Sequence, residues 1–153
     1  MATFYSTQLG SAAAGPDSLP VSKASAPEYG GTVKIFQATI NLATVNGGSA
    51  VTTSDNIALA DVPAGYKFLF GVISTSATLG TSTVAIGITG ATGAYRAAAV
   101  FTTTDTPTFF GPAITGGAAA TLTATTRVLL TPAVANLPTS GTVVVQLFYA
   151  LDN

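Results

Sequence analysis

Residues 141–152 read GTVVVQLFYALD, and strict alternation in this segment constrains the chain more than any other feature. Val143, Val145, Leu147, Tyr149 and Leu151 share one parity, opposing Val144, Gln146, Phe148 and Ala150. A period of two places the first set on one side of a β-strand and the second on the other. Similar segments recur along the chain. In YKFLFGVIS, Tyr66, Phe68, Phe70 and Val72 oppose Leu69, Gly71 and Ile73. In STVAIGITG, Val84, Ile86 and Ile88 oppose Ala85, Gly87 and Thr89, and ATLTATTRVLLT sets Leu122, Ala124, Val128 and Leu130 on one parity. TVKIFQATINLA has Val33 and Ile35 on one parity and Ala38, Ile40 and Leu42 on the other, which predicts a bulge or bend near Phe36. A short strand at Ile57–Leu59 and another in AYRAAAVF complete the series. The alanine runs at 12–14, 97–99 and 118–120 are too short to nucleate a helix. Short strands separated by frequent turn signals predict an all-β, two-sheet antiparallel sandwich of jelly-roll type over residues 32–153.

Residues 1–31 differ in kind. Pro16, Pro20 and Pro27 interrupt a stretch rich in Ala, Ser and Gly, with no sustained period. It still carries Phe4, Tyr5, Leu9, Leu19, Val21 and Tyr29, more apolar anchors than a solvated tail needs. The segment reads as an extended arm lying along a neighbouring surface, with a frayed terminus as the alternative. An internal echo links ALADVPAGYKFLFGV to AVANLPTSGTVVVQL: each sets an Asp or Asn, an apolar residue, Pro and then Gly before a strand. Two equivalent strand-entry turns at the same end of the sandwich are expected, with Gly supplying the unusual backbone angle.

Composition narrows the function classes. Only 7% of the 153 residues are charged, and the net charge is −1. Soluble domains average about 25% charged residues, so such a neutral, hydroxyl-rich surface fits either one permanently covered by partners or a thermally robust secreted domain. Five dispersed basic residues make no basic patch, so nucleic acid is not an expected partner, nor is an anionic membrane. No run is apolar enough for a membrane-spanning helix, and MATFYSTQLGSAAAG lacks the basic start of a secretory leader, so synthesis in the cytoplasm is expected. The absence of Cys and His rules out disulfides, thiolate or imidazole zinc sites and Ser-His-Asp catalysis. Asp55, Asp61 and Asp105 sit beside turn residues and are assigned to Asx turns rather than to acid–base work. No enzymatic activity, cofactor or metal is expected.

Four positions in the folded part remain as candidate contacts. Arg96 and Arg127 lie inside predicted strands, where arginine suits a subunit contact as well as an outward face. Phe109 and Phe110 are adjacent, and neighbours on an extended chain face opposite ways. One is expected to fill the sandwich and the other to lie at a subunit boundary. With Phe4, Tyr5, Leu9 and Tyr29 of the arm, these residues form the candidate set of subunit or capsid contacts.

The stretches DNIALADVPAGYKFLFGVISTSATLGTSTVAIGI, YRAAAVFTTTDTPTFFGPA and LPTSGTVVVQLFYALDN, together with the opening MATFYSTQ, resemble small virion proteins of tailed bacteriophages. The nearest functional picture is a head decoration, or cement, protein. That resemblance implies a homo-oligomer, dimeric or trimeric, made in the bacterial cytoplasm. It would bind the major capsid protein on the outer capsid surface and bridge neighbouring capsomers. A tail, neck or fibre module of the same fold is the alternative.

Overall fold

The computed structural model describes residues 32–111 and 120–151. All regular structure among them is strand: β1 (Val33–Asn41), β2 (Ile57–Val62), β3 (Tyr66–Thr75), β4 (Thr83–Ile88), β5 (Ala91–Val100), β6 (Thr108–Phe110), β7 (Thr126–Ala133) and β8 (Thr142–Leu151). Strand β1 pairs with β8, β2 with β7, β3 with β6 and β4 with β5, all antiparallel. The chain is thus one long hairpin with its tip between β4 and β5. Rolling it up adds the β3–β8 and β4–β7 pairs. The result is two four-stranded sheets, ordered β1-β8-β3-β6 and β2-β7-β4-β5. Every connection except β4–β5 crosses between sheets, which is the jelly-roll topology the alternating segments led us to expect.

The core lies between the sheets. Val143, Val145, Leu147 and Tyr149 of β8 are each no more than 1% exposed, opposite Val62, Val84, Ile86, Val128 and Leu130 of the second sheet. Burying a side chain of this size contributes on the order of 2 kcal/mol, so β8 supplies a large share of the cohesion. Phe68, Tyr95 and Tyr149 form an aromatic cluster inside, with Phe68 stacked on Tyr95 at 3.9 Å and edge-on to Tyr149 at 5.3 Å. The loops close the ends by burying Leu42, Val51, Leu79, Phe101 and Leu137. Two backbone bonds join four of these in pairs, Leu79 N donating to the Phe101 carbonyl at 3.0 Å and Leu137 N to the Val51 carbonyl at 2.9 Å.

Three local expectations are corrected. Strand β1 pairs with β8 in unbroken register, so no bulge lies near Phe36. Phe36, Ala38, Ile40 and Leu42 simply share the inward parity, while Val33 and Ile35 stay 51% and 58% exposed. Strand β2 extends to Val62, so Asp61 is a strand residue rather than a turn residue. The two Pro-Gly turns do place Gly65 and Gly141 at φ of 86° and 98°. They stand at opposite ends of the sheet, because β3 and β8 are antiparallel neighbours, with Tyr66 opposite Leu151 and Thr75 opposite Val143.

Candidate interaction surface

A β-bulge builds the most unusual surface of the molecule. In β3 the register slips between Phe68 and Phe70: Phe68 opposes Tyr149, and Phe70 opposes Phe148. The extra residue, Leu69, breaks the alternation, so Phe68 points into the core while Phe70 emerges on the outer face. There it stacks on Phe148 at 4.4 Å and contacts Phe109 at 6.1 Å. Downstream of the bulge, Gly71, Ile73 and Thr75 take the inward positions.

The registers of β1, β8, β3 and β6 define the outer face row by row. Ile35, Phe148 and Phe70 form one row, and Gln37, Gln146, Val72 and Phe109 the next. Phe70 is 37% exposed and Phe109 73%. The only polar groups in these two rows are the paired amides, Gln146 Nε2 donating to Gln37 Oε1 at 2.9 Å. Lone exposed apolar residues are ordinary, but a contiguous sheet of them marks an interaction site.

Phe110 goes the other way. It lies opposite Gly71, and its ring occupies the space where a Gly71 side chain would stand: a Cβ there would fall 2.2 Å from the ring. It stacks 6.2 Å from Phe68 and joins the core cluster. Of the Phe pair, Phe110 therefore faces inward and Phe109 outward.

The two arginines sit on the other sheet. Arg127 forms a bidentate pair with Asp61 directly across the strands, Nε to Oδ1 at 2.7 Å and Nη2 to Oδ2 at 2.8 Å. The pair holds the Asp61 carboxyl below the usual carboxylate range and pushes Arg127 up, although both side chains are more than half exposed. Arg96 is half-buried beside an irregularity between β4 and β5, where the register jumps from Val84–Ala99 to Ile86–Arg96. Its guanidinium donates to the carbonyls of Val84, Ala99 and Val100, at 3.3 and 3.5 Å for the last two, and burial lowers its pKa. Neither arginine joins the Phe109 face. Phe4, Tyr5, Leu9 and Tyr29 lie outside the described residues.

The hollows of the surface offer little chemistry. One of about 330 Å³ lies beside Asp55 and Asn56. Asp55 Oδ2 accepts from Thr52 N and Oγ1 at 2.8 and 2.7 Å, which holds its carboxyl below the usual range. Asn56 Oδ1 accepts from Thr131 Oγ1 at 2.6 Å. These groups brace the loop and do not converge on a ligand. Asp55 does so by accepting from Thr52, three residues earlier, rather than through the expected Asx turn to a residue further on. A second hollow, about 220 Å³, lies between Ser74, Asp105 and Thr142. Among the described residues, no three acidic side chains gather to hold a metal ion. Sequence reasoning missed Ile35, Phe70 and Phe148 as surface candidates. The alternation did set Phe148 opposite the buried parity of β8, whereas Phe70 could be found only by locating the bulge.

Neither a family model nor a curated protein matches the sequence. Similarity appears among solved structures. A chain of the cyanophage Pam1 capsid asymmetric unit is 24% identical with a TM-score of 0.61, covering 80% of this chain and 87% of that one. A chain in the acid-stable capsid of Helicobacter pylori bacteriophage KHP30 is 14% identical with a TM-score of 0.56, covering 80% and 90%. A chain in the capsid of Ralstonia phage GP4 is 17% identical with a TM-score of 0.52, covering 80% and 85%. The eight-stranded jelly roll described here is therefore a fold shared, over most of its length, with chains found in three phage capsids.

Proposed function

We propose that the chain is a structural, non-enzymatic component of a phage head: a decoration protein on the outer capsid surface that bridges neighbouring capsomers and steadies the shell. The observation that carries this reading is the uncharged, mostly apolar patch at the centre of the outer face of the β1-β8-β3-β6 sheet, formed by Ile35, Phe148, Phe70 and Val72, with Phe109 73% exposed at its margin. A free monomer gains nothing from such a face, whereas a tile in a lattice buries it. The fold it shares with chains in three phage capsids supports the same reading. Its partners are the major capsid protein and further copies of itself. Each contact need be only modest, because linked contacts on a lattice gain about 10²–10⁴ in overall binding.

Location and heat stability test this. Mass spectrometry and labelling of purified particles should find the protein in many copies over the head. Heads stripped of it should rupture at lower temperature, and adding it back should restore them. A handful of copies confined to the tail, or unchanged rupture after stripping, would remove the decoration role.

A further inference from the structure

We infer that the apolar face of the β1-β8-β3-β6 sheet is the seat for the N-terminal segment, residues 1–31, of an adjacent copy of this chain. The inference deepens the structural-subunit reading above and rests on it. Two halves of one contact stand apart in a single copy. The receiving half is the row of Ile35, Phe148 and Phe70 with Phe109 beside it, which is apolar and uncharged. The inserting half is a segment whose apolar anchors include Phe4, Tyr5 and Leu9, with Asp17, Lys23 and Glu28 its only charged side chains. Those three charges all lie beyond the Phe4-Tyr5-Leu9 stretch, so the stretch and the Ile35-Phe148-Phe70 row meet without a charged side chain between them.

Reach separates an adjacent copy from the chain's own face. The segment enters the sheet at the outer corner, where Leu151 N donates to the Thr32 carbonyl at 3.1 Å and Val33 faces outward. The nearest row of the apolar face begins two residues further on, at Ile35. Tyr29, four residues before Val33, is within reach of the chain's own face. The Phe4-Tyr5 pair and Leu9 lie at the far end, and the roughly 24 residues between Leu9 and Val33, if extended, span up to about 80 Å. A domain of this size is only about 35 Å across, so the distal anchors are spaced for the next molecule.

The chain contains no cysteine, so a single introduced one takes a probe cleanly. Full-length Ser6→Cys carrying a nitroxide would be unfolded and refolded together with full-length ¹⁵N-labelled wild type. The expected result is loss of amide signal at Ile35, Phe70, Phe109 and Phe148 of the labelled copy, with the Asp61–Arg127 side of the molecule unaffected. Phe109→Ala in the labelled copy should weaken that loss. The converse sample puts nitroxide and ¹⁵N in one copy, diluted in unlabelled wild type. Losses confined to that sample would mean the segment covers its own face and overturn the proposal, as would no loss in either sample. Absence of the protein from purified particles would instead sink the shell reading and leave this result standing.

Discussion

Phe109 and Phe110 are the same side chain one peptide bond apart, and the strand sends them into different surroundings. Their truncations should therefore separate. Phe110→Ala removes a ring stacked on Phe68 and lying over Gly71, and should cost about 3 kcal/mol of stability in urea unfolding, the low end for a core phenylalanine because the ring is only partly buried. Phe109→Ala should change the stability of the isolated chain by less than about 0.5 kcal/mol, as for other exposed sites, while weakening assembly. Equal losses from both would put Phe109 in the core and remove the face described above. Tyr149 offers a different single-residue test. Its hydroxyl is fully buried near the Tyr95 phenol but outside hydrogen-bond geometry, and burial drives its pKa up. An unsatisfied buried hydroxyl costs about 1–3 kcal/mol. Tyr149→Phe should therefore leave the melting temperature unchanged or raise it, and a clear drop would reveal a partner for that hydroxyl.

At the scale of the strand, β3 shows where alternation stops being readable. Its residues suggest an uninterrupted period of two, with Phe70 on the side of Phe68. The inserted Leu69 reverses that, and what selects the bulge is the pairing of both phenylalanines with β8, information held 80 residues away. Strand β8 was legible throughout because it sits between two partners with one face fully buried, so its pattern had to be regular. In β1 the reverse error arises: Val33 and Ile35 look like core residues by chemistry, yet the unbroken register with β8 holds them on the outward parity. The destination of Phe109 was legible as one of two options, whereas the face it belongs to combines four strands and was not. Gly71 binds these elements together. A methyl there would strike the Phe110 ring, and overpacking of this kind costs about 1–3 kcal/mol, so Gly71→Ala should destabilise the chain. The double variant with Phe110→Ala should cost less than the sum of the two, which a denaturation cycle would measure.

For the molecule as a whole, the scarcity of ionisable groups shapes the response to pH. With no histidine, no side chain titrates near its ordinary value between about pH 5 and 8, so the melting temperature should be flat there. Asp55 and Asp61 have depressed folded pKa values, so their contribution is present above the unfolded carboxylate value of about 3.9 and is lost as the pH falls through the folded values. Below neutrality stability should decline on that acid limb, and Asp55→Asn should make the decline shallower. A separate decline above about pH 10 is expected from the buried Tyr95 and Tyr149, whose pKa values burial raises. A transition near neutrality would contradict both statements. The rolled-hairpin order also bears on how the protein is made. Strands β7 and β8 come last of the eight described strands, yet each lies at the interior of its sheet, between β2 and β4 and between β1 and β3. While a ribosome is still translating this domain, the earlier strands have a gap where their shared neighbour belongs. Neither sheet can close until residues 126–151 have emerged, so folding must be completed as a single late event, and nascent chains stalled before that point present open strand edges to chaperones and to each other.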